Sequence, residues 1–292
     1  MATATKKKEK KQKMTSAAIA WRRLRKDKMA MAGLILFGIL VVIAIIAPVL
    51  MTHDYSAQDL YNTFKTPSRE FFFGTDQLGR DIYSRILYGA KYSLSIGVSS
   101  VSIGGLAGIA VGCVCGYYGG KLDMFLMRFL DIFQAIPGTL LSIAISASLG
   151  PGLTNCIIAL TIGRIPPFAR MMRATMLNIR GMEYVEAARA INAKDPRIIF
   201  QHMLPNAISP CLVQATMGMA SAVMAAASLS FIGLGVQPPT PEWGSMLSEG
   251  RNYIRDYPHL VVFPGIAIMW SVLSLNMFGD GLRDVLDPRL KN

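Results

Sequence analysis

Six stretches of the chain are almost entirely apolar, and shorter polar segments separate them. Since a helix rises about 1.5 Å per residue, each stretch is long enough to cross the roughly 30 Å of hydrocarbon in a bilayer. The pattern therefore predicts an all-α, polytopic membrane protein with about six transmembrane helices. These helices are predicted at residues 29–51, 92–117, 124–149, 151–170, 207–235 and 259–280.

The same pattern divides the chain into five regions. They are a basic tail at 1–28, the first transmembrane helix at 29–51, a loop at 52–91, a core of five helices at 92–280 and a tail at 281–292. The composition agrees with a membrane protein, because 52% of the residues are hydrophobic and only 16% are charged.

Lysine and arginine indicate which side of the membrane each loop faces. Eleven of the 30 basic residues lie in the first 28 positions. With the N-terminus in the cytoplasm, 23 basic residues are cytoplasmic and seven are outside, as the positive-inside rule requires. We therefore expect a multi-pass protein of the plasma (inner) membrane with both termini cytoplasmic. The loop at 52–91 is then extracytoplasmic, and its five basic and five acidic residues are typical of a folded element.

The basic tail allows two interpretations near the membrane. In residues 15–28 the apolar Ile19, Trp21 and Leu24 alternate with basic side chains, which favours an amphipathic helix along the inner membrane surface. A stop-transfer cluster with no shape of its own is the alternative. Lipid is the expected partner of this tail, and no nucleic-acid partner is expected because the rest of the chain has membrane character.

Four glycines in the second predicted span recur every four residues, at Gly104, Gly108, Gly112 and Gly116. Residues four apart lie on one face of a helix, so these glycines, here called the glycine ladder, form a groove in which another helix can pack closely. We expect the ladder to serve helix packing.

Charged groups inside the predicted spans are few. Arg164 lies in the cytoplasmic half of the fourth span and is expected to extend its side chain towards the membrane surface. Arg128 and Asp131 are spaced to pair across one helical turn. With no acidic or histidine side chain at the midplane, the pattern argues against a proton-coupled carrier.

Motifs of catalysis are absent from the sequence. There is no H-E-x-x-H, no G-x-S-x-G and no G-x-x-x-x-G-K-[ST], so the chain is not expected to be an enzyme or to bind ATP by a P-loop. The four cysteines lack a C-x-x-C spacing and are expected to pack in the core. No cofactor or metal is expected in this chain.

A polar segment at residues 181–206 separates two apolar stretches. Glu183, Glu186 and Arg189 recur every three residues, with Tyr184, Ala187, Ala188 and Ile191 on the other face, so the first half is predicted to be a short amphipathic helix. Asn192 is expected to end it in the left-handed conformation.

A second short helix is predicted to follow the corner at Asn192. Asp195 would be its N-cap, Pro196 would lie in its first turn, and Leu204-Pro205 would end it. An ordinary solvated loop is the alternative, but the apolar Ile198 and Phe200 would be a poor choice for one.

This segment resembles the EAA loop of the inner-membrane subunits of binding-protein-dependent ABC importers. The pattern of that loop is E-A-A, three residues, G, and a run that ends in L-P. Glu186, Ala187, Ala188, Leu204 and Pro205 match it, and Asn192 stands where the family usually has glycine. Residues 73–85, 233–244 and 279–288 resemble blocks of the second, C-type permease of dipeptide, oligopeptide and nickel importers.

The resemblance implies a type I ABC importer permease fold and a set of partners. These are a homologous second permease, two ATP-binding subunits that carry ATP and Mg, an extracytoplasmic substrate-binding protein and the lipid membrane. Residues of the polar segment would couple this chain to the ATPases, with Glu186 as a charged contact. The residues to which the resemblance assigns this coupling role are Glu186, Ala187, Ala188, Arg189, Asn192, Asp195, Pro196, Ile198, Phe200, Leu204 and Pro205. Residues 71–91 and 236–250 would contact the binding protein.

The cargo implied is a dipeptide or oligopeptide, and nickel or another small chelate is the alternative. A secondary carrier or a channel subunit belongs to a different class. A carrier would need an inverted repeat and ion ligands at the midplane, and neither is found in the sequence. A channel subunit would not need an EAA loop.

Overall fold

The protein is built from α-helices. A computed structural model describes residues 21–286, and within them the only β-structure is a single bridge between Thr75 and Asp81. The predicted all-α architecture is confirmed. The helices are α1 (Lys28–Leu50), α2 (Ile82–Tyr118), α3 (Gly120–Gln134), α4 (Gly138–Leu149), α5 (Leu153–Arg180), α6 (Glu183–Ala190), α7 (Asp195–Phe231), α8 (Trp243–Gly250) and α9 (His259–Leu286).

Four helices among the described residues, α1, α2, α7 and α9, are long and apolar enough to cross a membrane. Helices α3 and α4 together form a fifth candidate, a broken span or a re-entrant loop with a bend of 83°. Helix α5 covers residues 153–170 of the predicted span at 151–170 but is not among these candidates, and it carries Arg164, Arg170, Arg173 and Arg180. By length and composition, the described residues therefore hold four or five candidate spans, and the region of the remaining predicted span is helical as α5.

Several boundaries differ from those predicted. Helix α2 begins at Ile82, so the last part of the predicted loop 52–91 is helical. The reason is a helix cap, since the Asp81 carboxylate accepts a hydrogen bond from the Ser84 backbone N–H at 3.0 Å. Helix α9 continues to Leu286, inside the predicted tail 281–292.

Much of the basic tail lies outside the described residues, as do residues 287–292. Within the described part, residues 21–24 are helical, with Trp21 half exposed and Leu24 buried. Residues 15–20 of the segment 15–28 lie outside the described residues, so the choice between an amphipathic helix and a shapeless charge cluster stays open there.

The glycine ladder brings α2 against α5. A Cβ atom added to any of its glycines would lie 2.5 to 2.7 Å from an atom of α5, far inside an ordinary contact. The atoms met are Arg164 Cβ at Gly104, the Ile165 carbonyl oxygen at Gly108, the Ala169 carbonyl oxygen at Gly112 and Met176 Cβ at Gly116. Only glycine permits this close approach of the two helices. The ladder thereby lets α5, which carries four arginines, pack directly against the long apolar helix α2.

Two ion pairs hold α3 against α5. The Arg173 guanidinium donates two hydrogen bonds to the Asp123 carboxylate, each 2.5 Å long. Arg170 pairs with Asp131. The prediction that Asp131 pairs with Arg128 is wrong, because α5 offers a second basic residue at the same height as the carboxylate.

A buried ion network folds the segment before α2 onto α8. Arg80 donates to Asp76 at 2.6 Å and to Glu249 of α8 at 3.0 Å, and Arg85 donates to Glu249 at 3.0 Å. Both arginines are only 1% exposed. Buried charges are stable when they are paired in this way, so the network anchors the segment at 52–81.

Candidate functional site

The polar segment at 181–206 forms a compact knob at the end of the helix bundle. We use the word knob for α6, the corner at residues 191–194 and the start of α7 up to Met203. Helix α6 has Glu183 and Glu186 in its first turn and Arg189 in its last, an order that suits the helix dipole.

The corner of the knob turns at Asn192. Its φ angle is +57°, in the left-handed region that asparagine tolerates better than most residues. The Asn192 N–H donates to the Arg189 carbonyl at 2.8 Å, and the Ala193 N–H donates to the Ala188 carbonyl at 3.1 Å. Asn192 therefore closes α6 as a left-handed C-terminal residue does.

The second half of the knob differs from the prediction at both of its ends. The N-cap of α7 is Lys194, and Asp195 is instead the first helical residue. Leu204-Pro205 does not end the helix, which continues to Phe231. The reason is a π-helical turn at Ile198–Met203. In this turn the Leu204 N–H donates to the Ile199 carbonyl, five residues back. The wider turn accommodates both the ring of Pro205 and its lack of an N–H.

One face of the knob is buried against the membrane helices. Val185 and Ala188 of α6 and Ile198 and Met203 of α7 are at most 5% exposed and pack in the same cluster as Met176 of α5. Ile198 therefore belongs to the interior of this chain. The predicted apolar face of α6 is corrected as well, because Ala188 is buried whereas Tyr184, Ala187 and Ile191 are exposed.

The opposite face of the knob is exposed and partly apolar. Ile191 is 80% exposed and Phe200 is 65% exposed, with Met182 and Tyr184 also exposed. Glu186, on the same helix α6, is also exposed and forms no ion pair with any described residue. We call these five residues the docking patch. Exposed apolar side chains grouped in this way are typical of a surface that binds another protein.

The other residues that the resemblance assigns to ATPase coupling are mostly on the protein surface. Ala187, Arg189, Asn192, Asp195, Pro196 and Pro205 are exposed, and Leu204 is half-buried. Of these, Arg189 and Asp195 also make contacts within the chain, which are described next.

Tyr117, at the end of α2, connects the knob to the glycine ladder. Its buried hydroxyl donates to the Asp195 carboxylate at 2.7 Å, and the Arg189 guanidinium lies 5.5 Å from the centre of its ring. Tyr117 thus contacts both helices of the knob and directly follows Gly116. Through this residue, α6 and α7 are held to the same helix that carries the ladder.

Sequence reasoning missed Tyr117 and Arg173. A tyrosine at the end of an apolar span is an ordinary interfacial residue, and nothing local indicates its partner 78 positions away. The sequence did contain some indication of the Arg173 ion pair. Arginines recur along α5 at intervals that return to one face, and α3 carries acidic residues.

Comparison with known proteins identifies the family. Residues 108–292 match the model described as the binding-protein-dependent transport system inner membrane component. Residues 16–67 match the N-terminal transmembrane domain of oligopeptide transport permease C.

Two relatives are each 46% identical to this chain. The dipeptide transport system permease protein DppC of Alkalihalophilus pseudofirmus matches over 273 residues, which is 94% of this chain and 90% of that protein. The glutathione transport system permease protein GsiD of Escherichia coli matches over 272 residues, 93% of this chain and 90% of that protein.

Solved structures share the fold. An inward-facing structure of the MetNI methionine ABC transporter has a TM-score of 0.56 at 24% identity, and covers 70% of this chain and 97% of the other. An amino acid ABC transporter has a TM-score of 0.51 at 17% identity, and covers 67% of this chain and 90% of the other. The long match to the family model and the two close relatives show that the chain belongs to the binding-protein-dependent transport system inner membrane components, as a C-type permease of ABC importers with the type I fold.

Proposed function

We propose that this permease imports short peptides and is driven by ATPase subunits that bind its docking patch. The observation that carries the proposal is the contrast between the two faces of the knob. One face is buried in the chain's own core, and the rest of the surface exposes Ile191, Phe200 and Glu186, which has no ion-pair partner among the described residues. A rigid element with an unpartnered apolar surface suits the transmission of force from a bound protein.

The partners follow from what this chain lacks. No P-loop occurs in its sequence, so ATP and Mg would bind to two partner ATPases. A second, homologous permease would complete the pathway, and exposed apolar side chains along α7 and α9, such as Phe231 and Met269, offer it a surface. A substrate-binding protein would deliver cargo to the opposite side, where 71–91 and 236–250 are the candidate contacts. The excess of basic residues on the predicted inner side supports cytoplasmic termini.

The mechanism would run from the patch to the helices. When ATP closes the ATPases on each other, the knob would move with the subunit that it contacts. Tyr117 would transmit that displacement to α2, because its hydroxyl and ring contact both helices of the knob. The glycine ladder would carry the motion to α5, because the two helices are too closely packed to move independently.

Peptide cargo is inferred from the relatives. One is named for dipeptides and the other for glutathione, itself a tripeptide, and each is 46% identical to this chain. We therefore infer a cargo of two or three residues.

Reversing the charge of Glu186 tests the docking role. In proteoliposomes that hold the complete importer, Glu186→Lys should lower peptide uptake at least tenfold. Size-exclusion chromatography of the same variant should still show the assembled membrane domain. Glu70→Lys is the matched control, because Glu70 is also exposed but lies in the segment before α2. Uptake by Glu186→Lys at the rate of Glu70→Lys would refute the docking role.

A further inference from the structure

Two cavities of about 560 Å³ each meet beside Arg164. The first extends between α5 and α7 to Arg283 and Leu286 at the end of α9, and the second extends to Ile232 beyond the other end of α7. Arg164 and Ser221 line both. Together the cavities follow α7 from Ser209 to Ile232, about 35 Å at 1.5 Å per residue, which matches the depth of a bilayer core.

The side chain of Arg164 is directed into this passage. Its Cβ lies against the glycine ladder, where a Cβ added to Gly104 would be only 2.7 Å away. Its Nη1 reaches towards α7, 3.9 Å from the place of a Cβ on Gly218, about halfway along the segment Leu204–Phe231. The expectation that Arg164 extends to the membrane surface is therefore wrong, because the ladder fixes the base of the side chain and the cavity receives its end.

The charge of Arg164 is not balanced within the described residues. Its guanidinium forms no ion pair and no side-chain hydrogen bond there, and no aspartate or glutamate lines either cavity. The one other charged residue of the described lining, Arg283, is also basic. An arginine stays ionised at all relevant pH values, so a position within a span requires water, a ligand or a partner charge.

We propose that Arg164 binds the carboxylate of the transported peptide as it passes through the permease. This rests on the proposed function and adds the group that recognises the cargo. The planar guanidinium matches a carboxylate with two parallel hydrogen bonds, and it needs no help from Ser221, whose hydroxyl donates to the Gly218 carbonyl at 3.0 Å. The basic lining would favour peptides with a free carboxylate and disfavour a positively charged metal chelate.

The competing explanation is a salt bridge from Arg164 to an acidic residue of the second permease. The two explanations predict different electrostatic potentials in the cavity, and a cysteine at Ser221, which is exposed, can report that potential. In the assembled importer carrying Ser221→Cys, we would measure how fast two methanethiosulfonate reagents label the new cysteine. One carries an anionic ethylsulfonate group and the other a cationic ethyltrimethylammonium group. Each rate is divided by the rate of the same reagent with a free thiol in solution.

A free guanidinium next to Ser221→Cys should favour the anionic reagent at least about fivefold, as expected for one unit charge at close range. Arg164→Gln should abolish the preference, and Arg164→Lys should keep it. The native cysteines are buried, and the importer without Ser221→Cys gives their background. Equal normalised rates of the two reagents with Arg164 intact would overturn the proposal without any need for an Arg164 variant to fold.

Uptake of cargo supplies the second measurement. Radiolabelled Ala-Ala, Ala-Ala-Ala and glutathione are tested with the wild-type importer, and the best cargo is kept. Arg164→Gln should lower its uptake at least tenfold and Arg164→Lys less, with ATP hydrolysis stimulated by the loaded binding protein preserved. No uptake of any peptide by the wild type would refute the proposed function, whereas equal uptake by the wild type and Arg164→Gln would refute only the role of Arg164.

Discussion

Replacing Gly112 by alanine should destabilise the contact between α2 and α5. The new Cβ would lie 2.5 Å from the Ala169 carbonyl oxygen, whereas ordinary contacts of a Cβ begin at 3.4 Å. The obstacle is backbone, so no side-chain rotation relieves it, and α5 would have to shift by about 0.9 Å. A gap of that size forfeits roughly a quarter to a half of the dispersion attraction of the atoms that it separates.

Gly105→Ala is the matched control for this change. Gly105 lies on the same helix, but its new Cβ would approach only the Phe168 ring, at 3.4 Å. Both variants gain about 1 kcal/mol of helix propensity, which cancels in the comparison. The remaining difference is the overpacking cost, about 1–3 kcal/mol in favour of Gly105→Ala.

Unfolding in detergent measures this difference. The helical circular dichroism of each purified variant is followed while the mole fraction of sodium dodecyl sulfate is raised. We expect the midpoint of Gly112→Ala to fall below that of the wild type and that of Gly105→Ala to equal or exceed it. An equal midpoint for both variants would show that the helices separate without cost, and the argument from close contact would be refuted.

Two further predictions concern the knob and α3. Tyr117→Phe removes the hydrogen bond to Asp195 and should lower the free energy of unfolding by about 1–3 kcal/mol, because the acceptor is charged. It should also lower the number of peptides imported per ATP hydrolysed in proteoliposomes. An unchanged ratio would count against a role of Tyr117 in transmitting motion. Arg173→Gln should lower the detergent unfolding midpoint more than Arg170→Gln, because the carboxylate of Asp123 is 12% exposed and the Arg170 pair is about half exposed; equal midpoints would contradict this ranking.

Local features of the knob were readable from the sequence. The three-residue recurrence of Glu183, Glu186 and Arg189 predicted α6, and Asn192 predicted its left-handed end. Both depend on residues that are neighbours along the chain. The continuation of the helix through Pro205 was not readable, because it depends on a π-helical turn that forms where Ile198 and Met203 pack against α2 and α5.

The sequence by itself determined the helical membrane architecture, the family and the position of the knob. These rest on apolar run length, a four-residue glycine spacing and local motifs, all of which act within a few turns of one helix. Only the tertiary structure decided how α5 is accommodated with four arginines and where its charges go. Asp123 neutralises Arg173, Asp131 neutralises Arg170, and a cavity beside Gly218 receives Arg164. Such pairings join residues far apart in sequence, so they depend on which helices pack together and not on any local preference of the chain.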